Sequence, residues 1–293
     1  MSEVKPAIKV LTREQIEKIH NYSLEILSTT GIRIDSLRAR KLFANALGVS
    51  DADRVVRIPA ELVDRALKTA PSIVDIFDRR GNVRIRLGNP QRDQTRFGIG
   101  VTNLYYQDPM TDAVTAFRRK HMALATRLGS VLSSFDIIST TCILQDMAPE
   151  VADLYGTLEM IANTTKPLVM LISEKQCFDA AFDLLEHLHG DLSEKPFIIP
   201  YFNPITPLVL NEETADTIFS TIERGLPFIY SNYGMSGATS PITPAGSLAV
   251  LNAELLAGLV FSQLVKEGAA IILGSLPAGF DMRSMAGHYT PQT

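Results

Sequence analysis

The side chains in this sequence that could do chemistry are few, and most have a plain structural reading. Cys142 stands at the end of an expected strand, but no histidine is tied to it in sequence, so it reads as a buried, inert thiol. Asp146 and Glu150 follow the same strand. Glu150 suits the first turn of the next helix, where a carboxylate meets the helix dipole. Asp146 stands where a ligand could be met, and is kept as a candidate. His187 and His189 are two residues apart, which a helix points in different directions, and no His-Glu-x-x-His occurs, so a protein-held metal is not expected. Gly98-Ile-Gly100 begins like a dinucleotide fingerprint. Its third glycine position holds Asn103, however, and Leu104-Tyr-Tyr-Gln107 continues as strand, so the glycines are read as allowing close packing. Lys166 opens its strand, the wrong end for a Schiff-base lysine.

Two segments ask for more than a connecting role. Tyr201-Phe-Asn-Pro-Ile-Thr-Pro-Leu208 follows a strand expected from Phe197, and its two prolines stiffen a loop bearing aromatic and amide groups. Asn232-Tyr-Gly-Met-Ser-Gly-Ala-Thr-Ser-Pro-Ile-Thr-Pro-Ala-Gly246 reads as a long loop of small and polar residues after a strand from Pro227. Long irregular segments inside compact domains are usually functional.

The elements that must position these segments follow from pattern. With 46% hydrophobic and 20% charged residues the chain is globular, and 28 Lys+Arg against 32 Asp+Glu leave no basic surface for nucleic acid. Two cysteines support no disulfide framework, and the opening residues lack an apolar signal region, so a cytoplasmic protein is expected. Leu248–Val265 is the most apolar stretch, but Asn252, Glu254 and Gln263 interrupt it; a buried helix or a subunit interface is expected, not a membrane span. Thr12-Arg-Glu-Gln15 is a capping box for a first helix that stops at Gly31. Helices over about Ser36–Leu47 and from Pro59, then a hairpin of Ile73–Asp78 and Val83–Leu87, complete an N-terminal cap, residues 1–96. From residue 97 strand-like runs begin near Phe97, Asp136, Pro167, Phe197, Pro227 and Ala269, the last four intervals being 31, 30, 30 and 42 residues. Each of those intervals holds a helical stretch: Pro149–Asn163, Glu174–Leu188, Glu212–Arg224 and Ala245–Lys266, with one more helix expected earlier at Thr115–Leu128. This rhythm suits an open doubly wound sheet or a TIM barrel. Regular units and the missing glycine-rich phosphate loop favour an α/β fold of TIM (β/α)8 type. About six βα units in residues 97–293 would leave it incomplete, and Asp281–Thr293 reads as a loop with no closing helix, so the chain is expected to be part of a longer protein.

An ordered series of segments resembles the trimethylamine methyltransferase family of corrinoid-dependent amine demethylases. It runs through Leu11-Thr-Arg-Glu-Gln-Ile-Glu-Lys-Ile-His20, Gly31-Ile-Arg-Ile34, Ile58-Pro-Ala-Glu-Leu-Val63 and Asn163-Thr-Thr-Lys-Pro167. It continues in Asn203-Pro-Ile-Thr-Pro-Leu208, Gly237-Ala-Thr-Ser-Pro-Ile-Thr-Pro-Ala-Gly246, Asn252-Ala-Glu254 and Asp281-Met-Arg283, and so covers essentially the whole chain. The resemblance implies a capped TIM barrel that moves a methyl group from a methylated amine to the Co(I) corrinoid (a cobalamin) of a separate carrier protein. Trimethylamine and quaternary amines such as glycine betaine are the substrates it implies. In the family the pyrrolysine that marks the trimethylamine branch lies beyond the segment matching Asp281-Met-Arg283, past the last residue of this sequence.

For that chemistry a cationic methylammonium group needs aromatic faces, worth about 0.5–2 kcal/mol each. There is no tryptophan, so tyrosine or phenylalanine must serve. Tyr201, Phe202, Tyr230 and Tyr233 sit near two strand ends and Tyr105 and Tyr106 near a third, but strand alternation lets only some of them face the mouth. The candidates chosen are Tyr201 and Tyr233, with Asn203, Ser236 and Thr239 as polar partners and Asp146 as a further contact. Two other readings stay open: a different barrel enzyme, such as a lyase or aldolase, and a relative that binds an amine or the carrier without turnover.

Overall fold

The computed structural model describes residues 9–88, 95–172 and 175–288. Helix α1, Arg13–Thr29, starts on the expected capping box: the Thr12 hydroxyl accepts from the Gln15 amide, and the Gln15 side chain accepts from the Thr12 amide at 2.8 Å. It ends at Gly31, whose φ of +81° and close approach to the Val56 carbonyl (2.5 Å from where a Cβ would lie) admit only glycine. Strand β1, Ile32–Ile34, helix α2, Leu37–Leu47, strand β2, Val55–Val56, and helix α3, Ala60–Thr69, follow. Ser36 caps α2, and Gly48 ends it at φ +67°. The expected hairpin is present as β3, Val74–Phe77, paired antiparallel with β4, Val83–Leu87.

Next comes a second hairpin, β5 (Tyr105–Gln107) with β6 (Val114–Ala116), and then helix α4, Arg119–Val131. This corrects the expected helix from Thr115: Thr115 pairs with Tyr106, and the helix begins only after the hairpin closes. The remainder runs β7 (Ile138–Ser139), α5 (Pro149–Asn163), β8 (Leu168–Met170), α6 (Lys175–His189), β9 (Ile198–Phe202), β10 (Val209–Leu210) and α7 (Glu212–Glu223). It finishes with β11 (Phe228–Ser236), α8 (Pro244–Val265), β12 (Ile271–Asp281) and β13 (Ala286–His288). The expected helix start at Glu174 and the last residues of the expected terminal loop, 289–293, lie outside the described residues.

The main sheet has the order β13-β12-β11-β9-β8-β7 and is parallel except for β13. Beyond β7, Gly98 and Asn103 bridge to Ile137 and Cys142 in parallel, which extends the sheet to the Phe97 run. A Cβ on Gly98 would stand 2.9 Å from the Ile137 side chain, so its glycine serves close packing as expected. The architecture is thus mixed α/β, a curled, mainly parallel sheet with helices.

Two expectations about connections are corrected. Asn232–Ser236 is strand and not loop, because β11 pairs with β12 at nine successive positions, from Phe228 with Ile271 to Ser236 with Gly279. The run from Ala269 likewise extends to Asp281 and turns back as β13, where a loop was expected. Sequence reading also missed a small sheet, β10-β1-β2, joining Ile32–Ile34 to residues far along the chain.

Alternation divides the sheet into two faces. Ile138, Leu168, Met170, Ile198, Phe228 and Tyr230 belong to the large core under the helices. Val169, Ile199, Tyr201, Ile229 and Ile272 face the other way and pack with Ile76 and Ile85 of the first hairpin. Helix α8 is long and apolar enough by composition to cross a membrane, but 67% of its most apolar stretch is buried inside the chain, against α1, α2, α3, β11 and β12. It is a core helix, and each polar side chain that interrupts it has a partner. Asn252 donates to Ser23 of α1, Glu254 accepts from three groups, and Gln263 bonds Ala269 and Gly268.

Candidate functional site

The concave face of the sheet is shut at one end. The Phe77 amide donates to the Pro196 carbonyl and the Arg79 amide to that of Thr165, each at 2.9 Å, just before β9 and β8 begin. The Arg79 guanidinium adds bonds to the carbonyls of Ile161 and Thr164. With the hairpin seated across the strand N-termini, the accessible end is the one where the parallel strands finish. That is where ligands meet open α/β sheets.

Register sets the levels of this face. Tyr201 is level with Ile229, and Ile229 with Ile272, in the apolar layer above the hairpin. Ser231 and Gly274 form the next level, and a Cβ on Gly274 would meet the Ser231 hydroxyl at 3.1 Å. Tyr233 with Leu276 and Met235 with Ala278 stand above them. Tyr201 and Tyr233 therefore share a face, while Phe202 and Tyr230 lie in the core on the other. Four residues separate the two tyrosine levels, roughly 13 Å along the strands. Tyr201 belongs to the floor, and Tyr233 stands near the rim. Gly287 of the returning β13 approaches Tyr233: its Cβ would lie 3.4 Å from the hydroxyl and 3.6 Å from the Met235 sulfur.

Of the polar candidates, Asn203 joins this region, its side-chain amide donating to the Ser231 carbonyl at 2.8 Å. Ser236 and Thr239 are engaged elsewhere. The Ser236 hydroxyl shares a bond with Ser247 of α8 at 2.9 Å, and Ser247 also bonds Ser240 and the Pro241 carbonyl. Thr239 accepts from the Met235 amide at 2.9 Å and closes the turn after β11. Asp146 is exposed and accepts from the Arg119 amide at 3.0 Å, capping α4 from a distant loop. Tyr105 projects from the second hairpin, while Tyr106 stacks on His121 at 4.0 Å.

The residue that sequence reading missed is Glu254. It is fully buried, and takes hydrogen bonds from the Thr206 hydroxyl (2.9 Å), the Leu208 amide (2.5 Å) and the Asn232 side chain (2.8 Å). Burial pushes its pKa up, and the three donors pull against that shift. The signal was present in the sequence: a carboxylate on the buried stripe of an apolar helix.

Cys142 is buried, and its thiol is pushed up to about 12 by burial and, less, by Asp146, so it is no nucleophile. Lys166 donates to the carbonyls of Gly129, Leu132 and Phe135 at 2.7 Å each, closing the end of α4. His187 and His189 are exposed on α6. A cavity of about 500 Å³ beside α2 and β2 includes Arg40, Asp51 and Asp53. It lies away from the concave face, and its two arginines are engaged, Arg40 with the carbonyls of Ile34, Asp35 and Asp51 and Arg57 with that of Thr29.

A parallel sheet plugged below and open where its strands end, with aromatic and small polar groups on its inner face, is the layout of an α/β protein that handles a small ligand. Residues 1–290 match the family model described as trimethylamine methyltransferase (MTTB), and the chain belongs to that family. It is 30% identical over 276 residues to the trimethylamine methyltransferase MttB of Desulfitobacterium hafniense, covering 93% of this chain and 55% of that protein. It is also 30% identical to MttB of Methanosarcina barkeri, across 94% of this chain and 57% of the relative. Similarity reaches the glycine betaine methyltransferase of D. hafniense, at 27% identity across 97% of this chain and 59% of the relative. The chain thus spans little more than half the length of these relatives.

Proposed function

We propose that this chain carries the amine-facing part of a methyltransferase that moves a methyl group from a methylated amine to a corrinoid on a partner protein. The observation that supports this best is the shared orientation of Tyr201 and Tyr233 on a concave face with no charged side chain among its register-aligned residues, 229 to 235 and 272 to 278. Such a surface suits a cation whose charge is spread over methyl groups, held by ring faces and apolar contact. In this reading Tyr233 and Met235 form the wall of the site, Tyr201 its floor, and Asn203 and Ser231 its polar side. Ser236, Thr239 and Asp146 act one step back, shaping the turn after β11 and the start of α4.

The corrinoid, held by its carrier, supplies a Co(I) nucleophile when bound. The inner face fits such a visitor in chemistry: near the rim Tyr233, Met235 and Leu276 offer aromatic and apolar contact, with Leu276 48% exposed. The task of this chain's residues is to bind the amine, keep a methyl group pointed at the rim and limit water around it. A quaternary amine leaves neutral, so alignment serves it without an acid catalyst. We further read the sheet as part of a TIM-type barrel, with residues 1–96 as its cap, in a cytoplasmic protein.

The test is methylation of cob(I)alamin under anaerobic conditions with trimethylamine, glycine betaine and tetramethylammonium in turn. Formation of methylcobalamin with one of them is the expected result. Binding of an amine with no methylation by any of them would replace this reading with a binding-only role.

A further inference from the structure

We propose that Glu254 is a positioning residue: it holds the Asn203–Leu208 loop and strand β11 to helix α8, and so sets where Asn203 and Tyr233 stand at the mouth. The proposal rests on the reading of the concave face as an amine site. Its basis is the convergence of three separated segments on one carboxylate. Thr206 and Leu208 come from the loop after β9, Asn232 comes from the middle of β11, and Glu254 belongs to α8.

The geometry has a second anchor. Asn232 also donates to the Leu251 carbonyl at 2.7 Å, so β11 is tied to α8 at two points one residue before Tyr233. Asn203, at the start of the loop, bonds the Ser231 carbonyl on the adjacent residue of the same strand. The loop is thereby fastened to β11 at one end and to α8 at the other.

Leu208 shows what the carboxylate offsets. Its φ is +57°, the left-handed region that a branched side chain disfavours, and its amide points at Glu254. A buried carboxylate makes a strong acceptor for that N–H, because water is kept from both. No ion pair involving Glu254 occurs among the described residues, so the three hydrogen bonds alone compensate its burial. A structural filler at this position would be apolar, like its neighbours on the helix.

The test compares wild type, Glu254→Gln and the double variant Glu254→Gln with Leu208→Gly. Two readouts are taken: hydrogen exchange at the Leu208 amide, and binding of tetramethylammonium by titration calorimetry. In Glu254→Gln a side-chain N–H₂ replaces one acceptor oxygen. Leu208 exchange should quicken, and affinity should fall about tenfold, the loss of one charge-assisted bond. Leu208→Gly tolerates the left-handed backbone without the tie and should restore part of the affinity. A folded Glu254→Gln protein with unchanged Leu208 exchange and unchanged affinity overturns the proposal. If that variant fails to fold, the wild-type protein decides: the Leu208 amide, bonded to a buried carboxylate, should be strongly protected from exchange, and exchange at the rate of a free amide overturns the proposal. If wild type itself binds no tetramethylammonium, the amine reading fails, and Leu208 exchange alone decides the positioning role.

Discussion

The ring of Tyr230 fills the space that a side chain on Gly258 would need: a Cβ there would lie 2.2 Å from Cε1 and 2.4 Å from Cδ1. Tyr230 is fully buried, so its ring has nowhere to go. In a free helix Gly→Ala gains about 1 kcal/mol, whereas overpacking a rigid core costs about 1–3 kcal/mol or more. Here the clash wins. Gly258→Ala should lower stability by about 2 kcal/mol in a denaturant titration. Gly234 makes a parallel case: its Cβ would lie 2.6 Å from a Leu251 methyl and 3.2 Å from Cγ, and Leu251 is also fully buried, so Gly234→Ala should be destabilising as well.

Tyr233→Ala should weaken tetramethylammonium or glycine betaine binding by about threefold to thirtyfold, the loss of one cation–π contact. Thermal stability should change less, because the residue is only partly buried. Unchanged affinity removes Tyr233 from the site.

Both cysteines are buried, and the Cys142 thiol is held up at about 12. At pH 8 the native protein should react with a thiol reagent far more slowly than a small-molecule thiol does, and denaturant should expose two equivalents. Fast native labelling at Cys142 would contradict the buried placement.

His121 gives the protein a dependence on acid. Its Nδ1 accepts from the Arg118 amide at 3.2 Å, so that nitrogen carries no proton, and the ring is stacked on Tyr106. Burial first, then Lys120 and Arg118, lower its pKa below the usual 6.5. With the folded value depressed, its contribution to stability is present above pH 6.5 and is lost as pH falls through the folded value. Wild type should therefore lose stability relative to His121→Gln on acidification below that point, read by thermal melts across pH. Parallel curves would show that His121 does not titrate.

What sequence alone could reveal here was the local part. The capping box of Thr12 with Gln15 and the helix over about Ser36–Leu47 are set by residues close in the chain, and both appear where expected. The parallel strands showed as short buried runs such as Leu168–Met170. Asn232–Ser236 did not, because Ser-Asn-Tyr-Gly-Met-Ser has the composition of a loop and becomes strand only through its ladder with β12. Thr115 was lost to the same cause, cross-strand pairing outweighing a helical pattern. At the site, side-chain parity along β9 and β11 could be argued from alternation. Ser236 and Thr239 could not be placed, since their partners, Ser247 and the Met235 amide, depend on how the turn closes.

The hairpin at the strand N-termini also bears on how the molecule is made. Ile76 and Ile85 share one cluster with Val169 and Ile199, which leave the ribosome much later. The inner surface of the sheet thus contains side chains from the first third of the chain, and no stretch beginning after it can assemble that surface unaided. Synthesis delivers the hairpin first, and the strands that pack on it follow. Such long-range closure raises contact order and slows folding. A protein expressed without residues 74–87 should present an apolar sheet face to water, and precipitate instead of yielding a smaller soluble core.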